Sequence, residues 1–121
     1  MACPFFDPQE PISWAEWPDP PLMPLGDPYH GICTAGNAKP RVRECCNVGY
    51  ARGVCPNFPG GDAPDAVRFG IVKLEGVVAS IRYVAERDHH PFETGVAGGD
   101  GETLIERQAG AYLRSYLRRI E

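Results

Sequence analysis

The sequence predicts an α+β protein with a Pro/Cys-rich irregular N-terminal half, a β-hairpin and a C-terminal amphipathic helix. Three observations predict this class. Twelve of the thirteen prolines lie between Pro4 and Pro64. Two short runs after residue 65 alternate apolar and polar side chains, and apolar residues recur at helical spacing towards the C-terminus. The 121 residues suit one domain, 1–121, made of an extended wrap (1–64) and the hairpin plus helix (65–121).

The wrap is predicted to be extended and rich in turns. Each proline fixes its own backbone angle, removes an amide donor and pushes the preceding residue towards extended geometry. Long helices and central strands are therefore not expected in this half. The aromatic side chains of Trp14, Trp17 and Tyr29 are expected to pin the wrap onto the core, with a platform for a ligand or peptide as the alternative. One short helix is predicted over 41–50, where proline is absent and glycines stand near the end.

Two alternating runs, 66–74 and 77–85, predict a β-hairpin with a tight turn at Glu75-Gly76. An isolated hairpin is marginally stable in water, so its apolar face must pack on another element. The glycine-rich residues 93–101 are predicted to be a mobile loop. The side chains predicted to face inwards are Val67, Phe69, Ile71, Val77, Ala79, Ile81 and Tyr83.

The C-terminal helix is the predicted partner of the hairpin. Thr103 with Glu106 fits a capping box, and Asp100 is the alternative N-cap. The predicted buried face is Ile105, Ala109, Tyr112, Leu113, Tyr116 and Ile120. The opposite face carries an arginine stripe, Arg107, Arg114 and Arg118. We interpret the stripe as a solvated helix face, with contact to a phosphate or an acidic partner as the alternative.

The overall composition limits the classes of partner. A formal net charge of −4 does not draw the protein to nucleic acid or to anionic membranes. Hydrophobic residues make up 43% and charged residues 23% of the chain, as in ordinary globular proteins. No apolar run approaches the ~20 residues needed to cross a bilayer, and the N-terminus lacks the features of a signal peptide. We therefore expect a cytoplasmic protein that binds neither nucleic acid nor membrane.

The five cysteines are the candidate functional residues. In a reducing cytoplasm structural disulfides are rare, and spaced cysteines more often bind metal or do redox chemistry. The adjacent side chains of Cys45 and Cys46 diverge by about 100° on a helix, so one of the two is expected to be spare. Cys46 is chosen because it is nearer to Cys55, and Cys45 is its substitute. The predicted metal ligands are Cys3, Cys33, Cys46 and Cys55.

The spacing of these cysteines favours an iron–sulfur cluster. The gaps of 29, 12 and 8 residues contain no short Cys-x(2–4)-Cys knuckle of the kind that structural zinc sites use. Four isolated thiolates suit a cluster of the 4Fe-4S type, with zinc as the alternative, and disulfides or buried thiols as interpretations without metal. Cys3 and Cys55 are each followed by proline and then by a nearby phenylalanine, which would keep water from a cluster.

Three segments resemble parts of small uncharacterised bacterial proteins that share a cysteine motif. They are Cys-Cys-Asn-Val-Gly-Tyr-Ala-Arg-Gly-Val-Cys-Pro-Asn-Phe-Pro (45–59), Asp-Ala-Val-Arg-Phe (65–69) and Arg-Tyr-Val-Ala-Glu-Arg-Asp-His-His-Pro-Phe-Glu (82–93). The resemblance implies an iron–sulfur cluster or another metal site at the shared cysteines. It implies no particular activity.

The polar run that follows the hairpin offers a second candidate site. His89 is a candidate ligand or proton carrier beside the cluster, and Asp88, His89 and Glu93 together are a candidate for a separate metal site or an enzyme. A polar turn is the simpler interpretation. The sequence contains no hydrolytic motif, so no catalytic residue is assigned and an enzyme is not favoured.

Together these observations predict a small metal-binding protein whose metal site ties the wrap to the hairpin. An iron–sulfur cluster would serve electron transfer or redox sensing with a protein redox partner or a larger complex. The alternative is a structural zinc-binding interaction protein without redox activity, for which the arginine stripe would be the docking surface.

Overall fold

The fold is mixed α+β, as predicted. The structure, a computed structural model, describes residues 2–13, 15–17, 24–34, 64–75, 78–88 and 90–119. Within these ranges the chain forms a two-stranded antiparallel sheet, a three-stranded antiparallel sheet and one helix. The elements are β1 (Phe6–Pro11), β2 (Tyr29–Cys33), β3 (Ala66–Glu75), β4 (Val78–Arg87), β5 (His90–Ala97) and α1 (Leu104–Arg119). The short helix predicted over 41–50 lies outside the described residues.

The predicted hairpin is confirmed as the antiparallel pair β3 and β4. Glu75 pairs with Val78, so the pairing is one position later than a turn at 75–76 would give, and residues 76 and 77 lie outside the described residues. Val67 and Ile81, both from the predicted inner face, are buried. The alternation of side chains along these two strands therefore gave the correct face.

A third strand, β5, occupies residues that the sequence predicted to be a mobile loop. β5 pairs antiparallel with β4, so the loop prediction is wrong for residues 93–97. The physical reason lies at Gly95, which pairs with Tyr83. A Cβ at Gly95 would lie 2.6 Å from Tyr83 Oη, so the absence of a side chain makes room for the aromatic ring. Gly95 suggested a loop, but the sheet requires glycine at this position so that the Tyr83 ring can pack.

The N-terminal half contains a sheet and is not wholly irregular. β1 and β2 pair antiparallel although β1 includes Pro8 and Pro11. The pairing shifts between Pro8 and Glu10, and both strands are edges of a two-stranded sheet. Edge strands and bulges tolerate proline because some of their backbone N–H groups would not donate to a neighbouring strand. The prediction of an irregular wrap is wrong for these strands, while the exclusion of central strands holds for the described part of the wrap.

α1 packs on both sheets and joins their cores. Ala111 belongs to an apolar cluster with residues of β1 and β2, and Ala109 belongs to a second cluster on the three-stranded sheet. Phe69 and Tyr112 pack against both clusters, with ring centroids 5.9 Å apart. The small alanine side chains allow the helix to approach both sheets closely.

The start of α1 agrees with Thr103 as the predicted N-cap but not with a complete capping box. The amide of Glu106 donates to Thr103 Oγ1 at 3.2 Å, which is the hydrogen bond of an N-cap residue. The Glu106 carboxylate accepts the amide of Gly99 at 2.8 Å. Glu106 therefore also attaches the preceding loop to the helix.

The buried face of α1 differs from the predicted one. Tyr116, predicted to be buried, is 36% exposed, whereas Gln108 and Ser115 are buried. The reason is that the N-terminal half covers this side of the helix. A Cβ at Gly26 would lie 2.4 Å from Ser115 Cβ, which shows how closely the two segments approach. Ile120 lies outside the described residues.

Candidate functional site

Cys3 lies in a tight turn, residues 3–6, that leads into β1. The Phe6 amide donates to Cys3 O at 3.1 Å, and proline suits the second position of such a turn. Cys3 is 4% exposed and belongs to the apolar cluster that also contains Phe6. The preceding residue, Ala2, exchanges backbone hydrogen bonds of 2.7 and 2.8 Å with Val67, which attaches the turn to β3.

Cys33 is the last residue of β2 and pairs with Phe6 across the two-stranded sheet. Thr34 continues the contact, since its amide and its hydroxyl donate to Phe5 O at 2.8 and 2.7 Å. Cys33 is partly buried. Cys3 and Cys33 therefore lie at the same end of the β1–β2 sheet, and no disulfide joins them.

The other three cysteines lie outside the described residues. They are Cys45, Cys46 and Cys55, all within residues 35–63. The described chain stops at Thr34, next to Cys33, and resumes at Pro64, shortly before Val67. Val67 is bridged to the residue that precedes Cys3. Both flanks of 35–63 are therefore attached close to the two cysteines that the structure describes.

The described residues supply part of the predicted ligand set. Among them, no group of three or more His, Cys, Asp or Glu side chains could hold a metal ion. Two of the four predicted ligands, Cys3 and Cys33, belong to this part of the chain. The complete ligand set stays a prediction.

The polar run, residues 86–93, spans the end of β4 and the start of β5. Asp88 has a φ of 51°, a left-handed conformation that aspartate tolerates, and its amide donates to Asp65 Oδ2 at 3.1 Å. Glu93 is exposed on β5, and His89 lies outside the described residues. The geometry of Asp88 agrees with the polar-turn interpretation, while a ligand or catalytic role for Asp88, His89 and Glu93 stays a prediction.

Glu86, beside this turn, is a buried carboxylate that sequence analysis missed. It is 1% exposed and forms an ion pair with Arg68 on β3. The predicted strand ended at Ala85, and simple alternation would point the next residue outwards. The β4–β5 pairing shifts between Ala85 and Glu86, which breaks the alternation at this point.

Gln108 links α1 to the turn that contains Cys3, a role that sequence analysis also missed. Its Nε2 donates to Cys3 O at 2.8 Å and to Phe6 O at 2.6 Å. The side chain is 0% exposed, and its Oε1 has no hydrogen-bond partner within the described part of the chain. The signal in the sequence is a glutamine among small and apolar helix residues, which a search for apolar periodicity ignores.

A second polar cluster joins the C-terminal part of α1 to the start of β2. Tyr29 is buried, as expected of a residue that pins the wrap, and its hydroxyl donates to Ala111 O at 2.8 Å and lies 2.9 Å from Ser115 Oγ. Arg118 Nε donates to Asp27 Oδ2 at 2.8 Å. Partial burial lowers the pKa of Arg118, but hydrogen bonds to Asp27 and Tyr29 outweigh this effect and raise the pKa above its ordinary value.

The arginine stripe is not a uniform solvated face. Arg107 Nε lies 2.8 Å from Asp7 Oδ1, and Arg118 forms an ion pair with Asp27. Arg114 is exposed and makes no ion pair or side-chain hydrogen bond within the ranges that the structure describes. Two arginines of the stripe therefore attach α1 to the N-terminal half, and Arg114 is left for other contacts.

In the described part of the chain, no helix has both the length and the apolar character needed to cross a bilayer. The resemblance of the cysteine segments to small bacterial proteins stays a prediction. No family model, curated protein or solved structure matches this chain.

Proposed function

We propose that this chain is a small cytoplasmic metal-binding protein that holds an iron–sulfur cluster of the 4Fe-4S type. The proposed ligands are Cys3, Cys33, Cys46 and Cys55, with Cys45 as the substitute for Cys46 and His89 as a further candidate. The cluster would serve electron transfer or redox sensing with a protein redox partner or a larger complex. Neither nucleic acid nor membrane is a proposed partner.

The observation that carries the proposal is the position of Cys3 and Cys33. Cys3 lies in the turn before β1, and Cys33 ends β2, so both belong to the same end of one sheet. Residues 35–63, which contain the other cysteines, leave and rejoin the described chain close to these two. A site that uses all four positions is therefore compatible with the pairing of β1 and β2.

The surroundings of Cys3 also suit a cluster. Phe6 is buried in the same apolar cluster, and Phe5 packs against it. Aromatic side chains limit the access of water to inorganic sulfide, which affects the potential and the lability of a cluster. Cys33 is only partly buried, so one edge of the proposed site is within reach of a redox partner.

Structural zinc is the alternative occupant of the same cysteines. Thiolates also bind Zn²⁺, and the binding energy of a structural metal contributes directly to folding. The attachment of both flanks of 35–63 near Cys3 and Cys33 favours such a cross-link as much as it favours a cluster. The arginine stripe is a smaller docking surface than predicted, because Arg107 and Arg118 are engaged within the chain.

Elemental analysis and a visible spectrum of the anaerobically purified chain test the proposal. We expect iron and inorganic sulfide in equal amounts and brown protein with broad visible absorption, because thiolate-ligated clusters absorb visible light. Zinc without iron would replace the cluster by the structural alternative. Protein that contains no metal would overturn both.

Single serine variants test the choice of ligands. Cys33→Ser and Cys46→Ser are expected to lose bound metal while keeping the circular dichroism of α1 and the sheets. Cys45→Ser is the matched control and is expected to retain the metal. Loss of metal in Cys45→Ser with retention in Cys46→Ser would reverse the assignment of the adjacent pair. Retention in all three variants would refute the ligand set.

A further inference from the structure

We propose that a cleft between β1, the loop before α1 and α1 itself binds a small ligand that carries a carboxylate or phosphate group. The cleft has a volume of about 370 Å³. Its polar lining consists of Gln9, residues 99–101, Arg107 and Arg114. No cysteine lines the cleft, so this proposal stands independently of the proposed metal site.

The two arginines provide the positive charge of the cleft. Arg107 and Arg114 are seven residues apart, which places them on one face of α1, separated by about 10.5 Å along the helix axis. Arg107 Nε lies 2.8 Å from Asp7 Oδ1, which keeps the guanidinium beside β1. Arg114 has no carboxylate partner among the described residues. A guanidinium offers a planar fork of N–H donors that matches carboxylate and phosphate oxygens.

The loop that forms the opposite wall is held against the helix. Gly99 has a φ of +83°, and its amide donates to the Glu106 carboxylate at 2.8 Å. A Cβ at Gly110 would lie 2.5 Å from Gly99 O, so glycine at this helix position allows the loop to rest directly on α1. The wall is therefore fixed before a ligand arrives, which lowers the ordering cost of binding.

Acidic side chains in and around the cleft limit the negative charge that a ligand can carry. Asp100 lines the cleft with the two arginines, and Asp7 offsets part of the charge of Arg107. The amide of Gln9 can donate to or accept from polar substituents of the ligand. Because the chain carries a net charge of −4, general attraction of anions does not explain binding here, and local contacts must supply it.

Titration of the full chain by two-dimensional ¹H–¹⁵N NMR tests the proposal, with acetate and inorganic phosphate as separate ligands at constant ionic strength. We expect saturable shifts at the amides of Gln9, Gly99 and Gly101 and at the Arg114 side chain, with dissociation constants on the order of millimolar for such small anions. Saturation by one anion alone would identify whether carboxylate or phosphate is preferred. The absence of saturation with both would overturn the proposal.

Two variants that each remove one positive charge distinguish binding in the cleft from a general effect of net charge. Arg114→Gln is expected to weaken binding about tenfold, because it removes one charge-assisted contact. Arg82→Gln is the control, since Arg82 is an exposed arginine on β4 outside the cleft and its loss changes the net charge equally. Equal weakening by both variants would overturn the proposal. The same spectra show whether each variant is folded.

Discussion

At the scale of single residues, Gln108 is a polar residue that connects α1 to the turn containing Cys3. Its side chain is fully buried in α1 and donates two hydrogen bonds to the backbone of the turn that holds Cys3. Those carbonyls belong to a segment rich in proline, where backbone donors are scarce. A helix side chain therefore adds hydrogen bonds to the one that the turn itself supplies.

Replacing Gln108 by leucine tests this role. The Gln108→Leu variant keeps the approximate volume but leaves Cys3 O without the Gln108 bond and Phe6 O without its partner on α1. We expect the free energy of unfolding, measured by urea denaturation, to fall by about 1–3 kcal/mol, because Cys3 O keeps the Phe6 amide as a donor whereas Phe6 O loses its partner on α1, and a buried unsatisfied group costs about 1–3 kcal/mol. Arg114→Leu, at an exposed position of the same helix, should change it by less than about 0.5 kcal/mol. Equal stability of Gln108→Leu and the unmodified chain would contradict this account.

At the scale of elements, β5 is a strand that the alternation of apolar and polar side chains does not predict. β3 and β4 were found because one face of each is apolar, and that face packs under α1. Most side chains of β5 are exposed, and its glycine resembles a loop signal. What makes these residues a strand is the neighbouring β4, whose Tyr83 ring occupies the space above Gly95. The pairing partner decides such a strand, and that partner lies outside the strand's own sequence.

Alanine substitutions at two glycines of this sheet test the account of β5. Gly95→Ala places a methyl group against the Tyr83 ring, and we expect a loss of about 1–3 kcal/mol in the free energy of unfolding. Gly70→Ala on β3 is the matched control, because a Cβ there meets nothing within 4 Å. The control should be neutral or stabilising by up to about 1 kcal/mol, through reduced entropy of the unfolded chain. If chemical denaturation ranks the two variants the other way, the glycine–tyrosine contact does not hold β5 in place.

At the scale of the whole molecule, α1 connects the N-terminal half to the three-stranded sheet. From the sequence, we expected a metal site to tie the wrap to the hairpin, because prolines remove backbone hydrogen-bond donors from that half. The structure adds contacts that involve no metal, from Gln108 to the cysteine turn and from Arg118 to Asp27 and Tyr29. The described parts of the wrap are therefore held by contacts with the helix.

A double-mutant cycle of Asp27→Asn and Arg118→Gln measures one of these contacts. Both groups are partly exposed, so we expect a coupling of about 0.5–1 kcal/mol that decreases with added salt. The pKa of Arg118 is raised in the folded protein, so its contribution is fully present below the unfolded-state pKa and is lost only as the pH rises above it. The arginine therefore adds no pH dependence of stability near neutrality. Strictly additive mutations would show that the pair does not help to dock the helix.

The sequence by itself determined the α+β class, the β3–β4 hairpin, the N-cap of α1 at Thr103 and the role of Tyr29 as an anchor. Each of these depends on local chemistry: alternation, helical periodicity, a capping hydroxyl or one large aromatic side chain. Only the tertiary structure decided that β5 exists, that the proline-rich half contains a sheet and that Gln108, Ser115 and Glu86 are buried. It also decided that Arg107 and Arg118 form ion pairs within the chain while Arg114 does not among the described residues. Those features depend on partners outside the local segment, and local propensity carries no information about which surface a residue will meet.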